Sequence, residues 1–277
     1  MKKIIALVFA AMMLLASAAM AASKPILVLG AMGVETNLLM QKLDKPKFCK
    51  VAEHNCAKGT INGKQVVVML SHMGMVNASS AATIGIMKFN PSMVISTGTA
   101  GATHRGVNIY DIVICERLCN TNVYSSEPVP EGGGYDMKNW TFETMEFFRN
   151  GAWQNSTKYI ESDKDLVKSA LAVPYKKGKL FKGTTVSSDS WMRECDWVSK
   201  LQKQFGTDCE EMESFAIATA ASKFNIPFVA VRVISNSEFT NAGTTKGLGG
   251  DDEDFYTIAA GYEQEYVYDL LQVLTKK

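Results

Sequence analysis

Several short stretches place reactive side chains directly after apolar runs. Ile26 to Leu29 leads into Gly30-Ala31-Met32-Gly33-Val34-Glu35, a glycine-bearing turn that delivers one carboxylate. It lacks the full GxGxxG dinucleotide pattern. Met93 to Ser96 leads into Thr97-Gly98-Thr99-Ala100-Gly101, whose small residues and hydroxyls would let a ligand approach the backbone closely. Glu211-Met212-Glu213-Ser214 sets two carboxylates around a methionine just before a helix. Such a pair can grip sugar hydroxyls, or it can be a solvated helix start. Phe228 to Ile234 is strongly β-prone with one charge, Arg232, and runs on into Ser235-Asn236-Ser237-Glu238. Polar side chains closing a buried strand need partners, so this stretch favours a site. Metal chemistry is not expected, because no CxxC occurs and only His54, His72 and His104 are present.

The elements that must position these residues alternate along the chain. Pro25–Gly30 reads as a strand and 35–43 as a helix. Asn62-Gly63 is a hairpin turn before the valine-rich strand 65–70. A helix over 78–89 is stopped by Asn90-Pro91, and 93–96 and 111–115 read as strands. Residues 125–140, with Pro128, Pro130 and Gly132 to Gly134, read as a long surface loop. A helix is expected over 161–172, a strand over 179–186, a helix over 214–224 stopped before Pro227, and a last helix from Asp251 to about Leu274. This alternation predicts an α/β fold of three layers, with a mostly parallel central sheet flanked by helices on both faces. In such sheets ligands bind beyond the carboxyl ends of strands, where the stretches above fall.

Of 277 residues, 47% are hydrophobic and 21% charged, which excludes a disordered chain. Lys and Arg number 29 against 28 Asp and Glu, so no strong field attracts nucleic acid or anionic lipid. Met1-Lys2-Lys3, the apolar run Ile4–Ala16 and Ala19-Met20-Ala21 have the form of a secretory signal cleaved after Ala21. Residues 22–277 are then expected as one exported domain, periplasmic or secreted, with no membrane segment after signal removal. Six cysteines in an exported chain favour disulfides. Closeness in sequence suggests Cys49 with Cys56 and Cys195 with Cys209. Cys115 and Cys119 would lie about 13 Å apart on one continuous strand, too far to bridge.

Taken together, the order and spacing of these motifs resemble the nucleoside phosphorylase/nucleosidase superfamily from about Ile26 to the C-terminus. They are most like its 5'-methylthioadenosine/S-adenosylhomocysteine nucleosidases. The resemblance rests on the GAM start with Glu35, the TGTAGA turn, Val186-Ser187-Ser188-Asp189-Ser190-Trp191-Met192, Glu211-Met212-Glu213-Ser214 and the VRVIS strand. It implies that Glu35 activates the attacking water and Glu213 binds the ribose hydroxyls, with Met212 packing on the sugar. Thr99 would stand beside water and ribose, Trp191 would stack on the purine, and the Met192 backbone would meet the base edge. Ser235 and Arg232 would form the ordering shell behind the base. The ligand would be a small purine nucleoside, with no cofactor, and the likeness suggests a homodimer.

One position departs from that pattern. The nucleosidases carry an Asp after the Ser of this strand as the acid that protonates purine N7; here it is Asn236. An amide does not deliver a proton at neutral pH. Glu238 would supply the acid if the loop folds back. Three readings follow: a purine nucleosidase, a non-catalytic exported nucleoside-binding protein on the same fold, or a phosphate-dependent phosphorylase. Before Thr99, the turn carries no Arg, and after Gly30 no basic residue precedes Lys42. This favours water over phosphate as the attacking group.

Overall fold

A computed structural model describes residues 24–144, 147–149, 152–154, 158–240 and 253–276. The expected signal segment 1–21 lies outside the described residues, as does the stretch 241–252 that includes the first residues of the expected last helix.

The strands are β1 (Ile26–Gly30), β2 (Asp44–Val51), β3 (His54–Ile61), β4 (Lys64–Leu70), β5 (Met93–Ala102), β6 (Ile112–Asn120) and β7 (Tyr124–Ser125). Then follow β8 (Thr141–Phe142), β9 (Phe147–Arg149), β10 (Ala152–Gln154), β11 (Ile160–Glu161), β12 (Leu180–Ser187), β13 (Cys209–Glu211) and β14 (Phe228–Asn236). The helices are α1 (Gly33–Lys42), α2 (Met75–Phe89), α3 (Lys164–Leu171), α4 (Cys195–Phe205), α5 (Ser214–Lys223) and α6 (Glu253–Thr275).

β1 lies between β4 and β5, parallel to both. β4, β3 and β2 continue outward as antiparallel neighbours. The β3–β4 turn is Asn62-Gly63, both at positive φ, as a two-residue hairpin of this kind requires. On its other edge β5 runs parallel to β14, which is antiparallel to β6; β6 is parallel to β12, and β12 to β13. β13 then pairs antiparallel with the last residues of β5, closing a ring. The same edge of β5 thus serves β1 over Met93–Ser96 and β13 over Gly101–Ala102. The α/β sheet with helical layers stands, but its ladders are mixed rather than mostly parallel. The departure comes from the hairpins of the outer wing, from β14 lying antiparallel to β6, and from the three-residue strand β13, too short to register as a period in the sequence.

β1 shows why the strands read as continuous apolar runs. Ile26 and Val28 face one core, with Leu39 of α1 and Val267 and Leu270 of α6. Leu27 and Leu29 face the other, with Ala78, Ala82 and Ile86 of α2 and Ile217 of α5. Side chains alternate across a strand, so a sheet covered on both faces has no polar side. α4 was not foreseen, although its Val198, Leu201 and Phe205 recur at helical spacing. All three are buried, and Leu201 and Phe205 pack with Phe142 and Val186. The 125–140 loop is tied down at both ends, because Tyr124 of β7 packs on Trp140, Phe142 and Trp197.

Cys49 and Cys56 face each other across β2 and β3, with Cα atoms 4.9 Å apart, and are joined as a disulfide. Cys195 and Cys209 are both free: Cys195 is exposed at the start of α4, while Cys209 is buried in β13. Cys115 and Cys119 are free and buried on the one strand β6.

Candidate active site

The ends of β1, β5 and β14 meet where β5 turns from the open wing into the ring. Glu35 lies in the first turn of α1 and is 2% exposed. Its Oε2 accepts from the backbone N–H of Ala31 and of Met32, each at 3.1 Å, so the carboxylate caps its own helix. Its Oε1 turns to β5, accepting from the Thr99 N–H at 2.9 Å and the Thr99 hydroxyl at 3.0 Å. Tyr256 of α6 donates its hydroxyl to the same oxygen at 3.4 Å. Donors therefore fix a carboxylate with one oxygen aimed at the mouth of β5.

Arg232 is the single charge on β14 and is 1% exposed. Burying a guanidinium is costly unless it is paired. Here Nη2 contacts Glu211 Oε2 at 2.6 Å and Glu213 Oε2 at 3.6 Å. Nε and Nη2 donate to the Ser214 hydroxyl, Nη2 to Ser96 and Nη1 to the Thr99 carbonyl. The two carboxylates of the Glu-Met-Glu stretch thus have different tasks. Glu211 Oε2 also accepts the N–H groups of Glu213 at 2.9 Å and Ser214 at 2.8 Å, capping α5. Glu213 points the other way, and its Oε1 accepts from the Gly74 N–H at 3.0 Å. Met212 beside it is half-buried.

Glu263 on α6 is a member of this cluster that sequence reading missed. It is 0% exposed, and one oxygen accepts the Gly98 N–H. Among the described residues its other oxygen is buried without a hydrogen-bond partner. The available signal was its position on the apolar stripe of α6, in helical register with Ala259, Ala260, Tyr266, Val267 and Leu270.

Burial pushes the Glu213 carboxyl up to about 8; Arg232 pulls it back, while Glu211 and Glu35 push it further. Burial likewise raises Glu263 to about 8, with Glu35 adding to the rise and Arg232 opposing it. These groups hold protons in the folded protein at pH values where the unfolded chain, near 4.5, has released them. Their contribution to stability is therefore complete below about pH 4.5 and is lost as pH rises through about 8. Thermal denaturation from pH 6 to 9 is expected to show a falling midpoint. A Glu213→Gln, Glu263→Gln double variant should flatten that slope.

Gly98 is what allows these groups to converge. An added Cβ there would stand 2.3 Å from Arg232 Nη1 and 3.0 Å from Glu35 Oε1. Gly98→Ala is expected to destabilise by about 2 kcal/mol through overpacking and to displace Glu35. Calorimetry would read the first effect and the activity assay the second.

The other end of the site is built from β14 and the 188–194 segment. Ser235 donates to the Ala100 carbonyl at 3.4 Å and to Asn236 Oδ1 at 3.2 Å. This turns the Asn236 amino group toward Gly101, where an added Cβ would stand 3.0 Å from Nδ2. Trp191 is 44% exposed and lies under the Arg193 guanidinium at 5.8 Å; Met192 is half-buried. Arg193 in turn holds Glu238, with Nε–Oε1 at 3.0 Å and Nη2–Oε2 at 3.3 Å. A carboxylate engaged this way accepts hydrogen bonds rather than supplying a proton, so the acid task envisaged for Glu238 has no support in its contacts. Glu35, Thr99, Glu213, Arg232, Ser235 and Asn236 are brought together; Trp191, exposed, and Glu238, buried, are linked to each other through Arg193, with the half-buried Met192 beside them. Among the described residues no group of three or more His, Cys, Asp or Glu is arranged to hold a metal ion.

At the carboxyl end of β5 this arrangement can hold a water against a carboxylate beside Thr99 and meet a polar ring system beside Gly101. Comparison with known proteins gives it a context. Residues 25–272 match the family model described as the phosphorylase superfamily. The 5'-methylthioadenosine/S-adenosylhomocysteine nucleosidase of Staphylococcus haemolyticus is 30% identical, over 89% of this chain and 99% of its own length. That of Bacillus cytotoxicus is 30% identical over 90% and 99%. Among solved structures, the Neisseria meningitidis nucleosidase in complex with methylthio-immucillin-A superposes with a TM-score of 0.71 at 26% identity, covering 90% of this chain and 99% of that one. The Colwellia psychrerythraea nucleosidase in complex with adenine gives 0.72 at 25% identity, covering 92% and 98%. By sequence over nearly its whole described length, and by fold, the chain belongs to the phosphorylase superfamily.

Proposed function

We propose that this protein hydrolyses the N-glycosidic bond of a purine nucleoside of the 5'-methylthioadenosine/S-adenosylhomocysteine type, releasing free base and sugar. The observation that carries the reading is the Glu35–Thr99 contact beside the Glu213–Arg232 cluster. Breaking the bond builds positive charge on the sugar and negative charge on the base. Water held at Glu35 Oε1 attacks C1', and Glu35 takes its proton. Glu213, anchored by Gly74, grips the ribose hydroxyls with Met212 against the ring. Trp191 stacks on the purine, Met192 meets its edge, and Ser235 and Asn236 order the base. Arg232 is already paired with Glu211 at 2.6 Å and donates to Ser214, Ser96 and the Thr99 carbonyl, so the buried cation beside Thr99 is not free for phosphate. That supports hydrolysis over phosphorolysis.

The same reading extends to assembly and location. Residues 22–277 act as one exported domain, after cleavage behind Ala21. A second copy covers the open end of the site, supported by the exposed Val76 and Met87 of α2 and the groove lined by Met75, Val76 and Phe215. No described helix is long and apolar enough to cross a membrane.

The test is to incubate residues 22–277 with methylthioadenosine, S-adenosylhomocysteine, adenosine and inosine, following free base with and without phosphate. Release from at least one without phosphate is expected. Tight binding of all four with no release would leave a nucleoside-binding protein, the reading Asn236 favours.

A further inference from the structure

A leaving purine needs a proton, and neither the Asn236 amide nor the Arg193-bound Glu238 is built to give one. A third group faces the same space. Glu210 of β13 and Asn236 of β14 both stand in register with Gly101 of β5, one from each edge. Gly101 has no side chain to separate them. A Cβ placed there would lie 3.0 Å from Asn236 Nδ2 and 3.4 Å from Glu210 Oε1, so both side chains lean over the same glycine. Thr99 and Gly101 are two residues apart on β5, so they present to the same face. Their separation is about 7 Å. That is the span of a glycosidic bond with a hydrogen-bonded group at each end. Glu35 holds the Thr99 end. Glu210 and Asn236 hold the Gly101 end.

We propose that Glu210 is a further catalytic residue, the acid that protonates the departing purine beside Asn236. This rests on the hydrolytic reading above. In the step, the water oxygen bonds to C1' and its proton passes to Glu35. The C1'–N bond breaks, its electron pair goes to the purine, and the Glu210 proton moves to a ring nitrogen. Glu35 and Glu210 then exchange protons with solvent, which balances the overall addition of water. The environment suits the task. Burial raises the Glu210 carboxyl to about 8, and the negative charge of Glu238 raises it further. The charged groups facing it from the neighbouring segments are Glu238 and, behind it, Arg193. Glu210 is thus protonated at neutral pH, as an acid must be before the reaction.

Glu210→Gln tests this against the wild-type protein, with kcat and KM measured from pH 6 to 9. The expected result is a fall in kcat of about 10³-fold, with KM changed by less than about threefold. Wild-type kcat should decline above about pH 8, and that limb should vanish in the variant. A variant within threefold of wild type would overturn the proposal, as would a slow variant that keeps the alkaline limb. Should the variant fail to fold, Glu210→Asp takes its place and is expected to move the alkaline limb, because Glu213 is raised into the same range and a wild-type limb alone does not single out Glu210. A limb that stays where it is in Glu210→Asp, or a wild-type rate that does not fall between pH 7 and 9, overturns the proposal. A wild-type protein inert toward every purine nucleoside would instead remove the hydrolytic reading itself, and the acid role with it.

Discussion

Glu35→Gln is expected to lower kcat for base release by about 10³-fold or more, the usual scale of a positioned base, while nucleoside binding persists. The substitution keeps shape and removes the one property the reaction needs. Both Glu35 oxygens now accept from donors: Ala31 and Met32 N–H on one side, Thr99 N–H and hydroxyl on the other. A glutamine presents one acceptor and one donor. It can satisfy half of that ring and must place its amide N–H against a further donor on the other half. Some loss of stability is therefore expected as well, from the weakened α1 cap. Separating the effects requires binding and turnover on the same preparation. Calorimetric titration with a nucleoside should stay within about tenfold of wild type, while free-base formation nearly stops. A variant that turns over at the wild-type rate would show that Glu35 is only a helix cap.

Arg232→Met is expected to cost about 3–5 kcal/mol, because removing one partner of a buried ion pair leaves an uncompensated charge. For a domain of this size that is a fall of roughly 6–20 °C in the melting midpoint. Glu211 loses its 2.6 Å partner and Glu213 its looser one, while Ser96, Ser214 and the Thr99 carbonyl lose a donor. The double variant Arg232→Met, Glu211→Gln removes both charges of the tight pair and should recover part of the loss. If the single variant melts within 2 °C of wild type, the cluster is not what holds the ends of β5 and β14 together.

How much of this was legible beforehand follows from range. β1, the first half of β5 and β14 are buried on both faces, so each is a run of apolar residues that announces itself and marks its own polar end. Arg232 stands out for the same reason, as the one charge in such a run. What needed three dimensions was the closure of the ring. β13 is three residues long and pairs with β5 more than a hundred positions earlier in the chain, in the register Cys209 to Ala102. Without that pairing Glu210 is one more acidic residue ahead of a helix. With it, Glu210 faces Asn236. The division between Glu211 and Glu213 was hidden likewise, since both reach Arg232 and they differ in their other partners, the start of α5 for Glu211 and the Gly74 N–H for Glu213. Glu263 comes from the last helix, and only its place on an apolar stripe hinted at burial. The Cys195–Cys209 pairing failed because closeness in sequence says nothing of the side a residue faces: α4 leaves Cys195 outside, while β13 carries Cys209 into the core.

In the proposed reaction water, not phosphate, takes the sugar. Phosphorus NMR of the wild-type protein turning over in phosphate buffer, with free base measured in parallel, decides between the two. Hydrolysis gives stoichiometric free base with no sugar 1-phosphate signal, and the same rate when phosphate is omitted. A sugar 1-phosphate resonance growing in step with free base would contradict it.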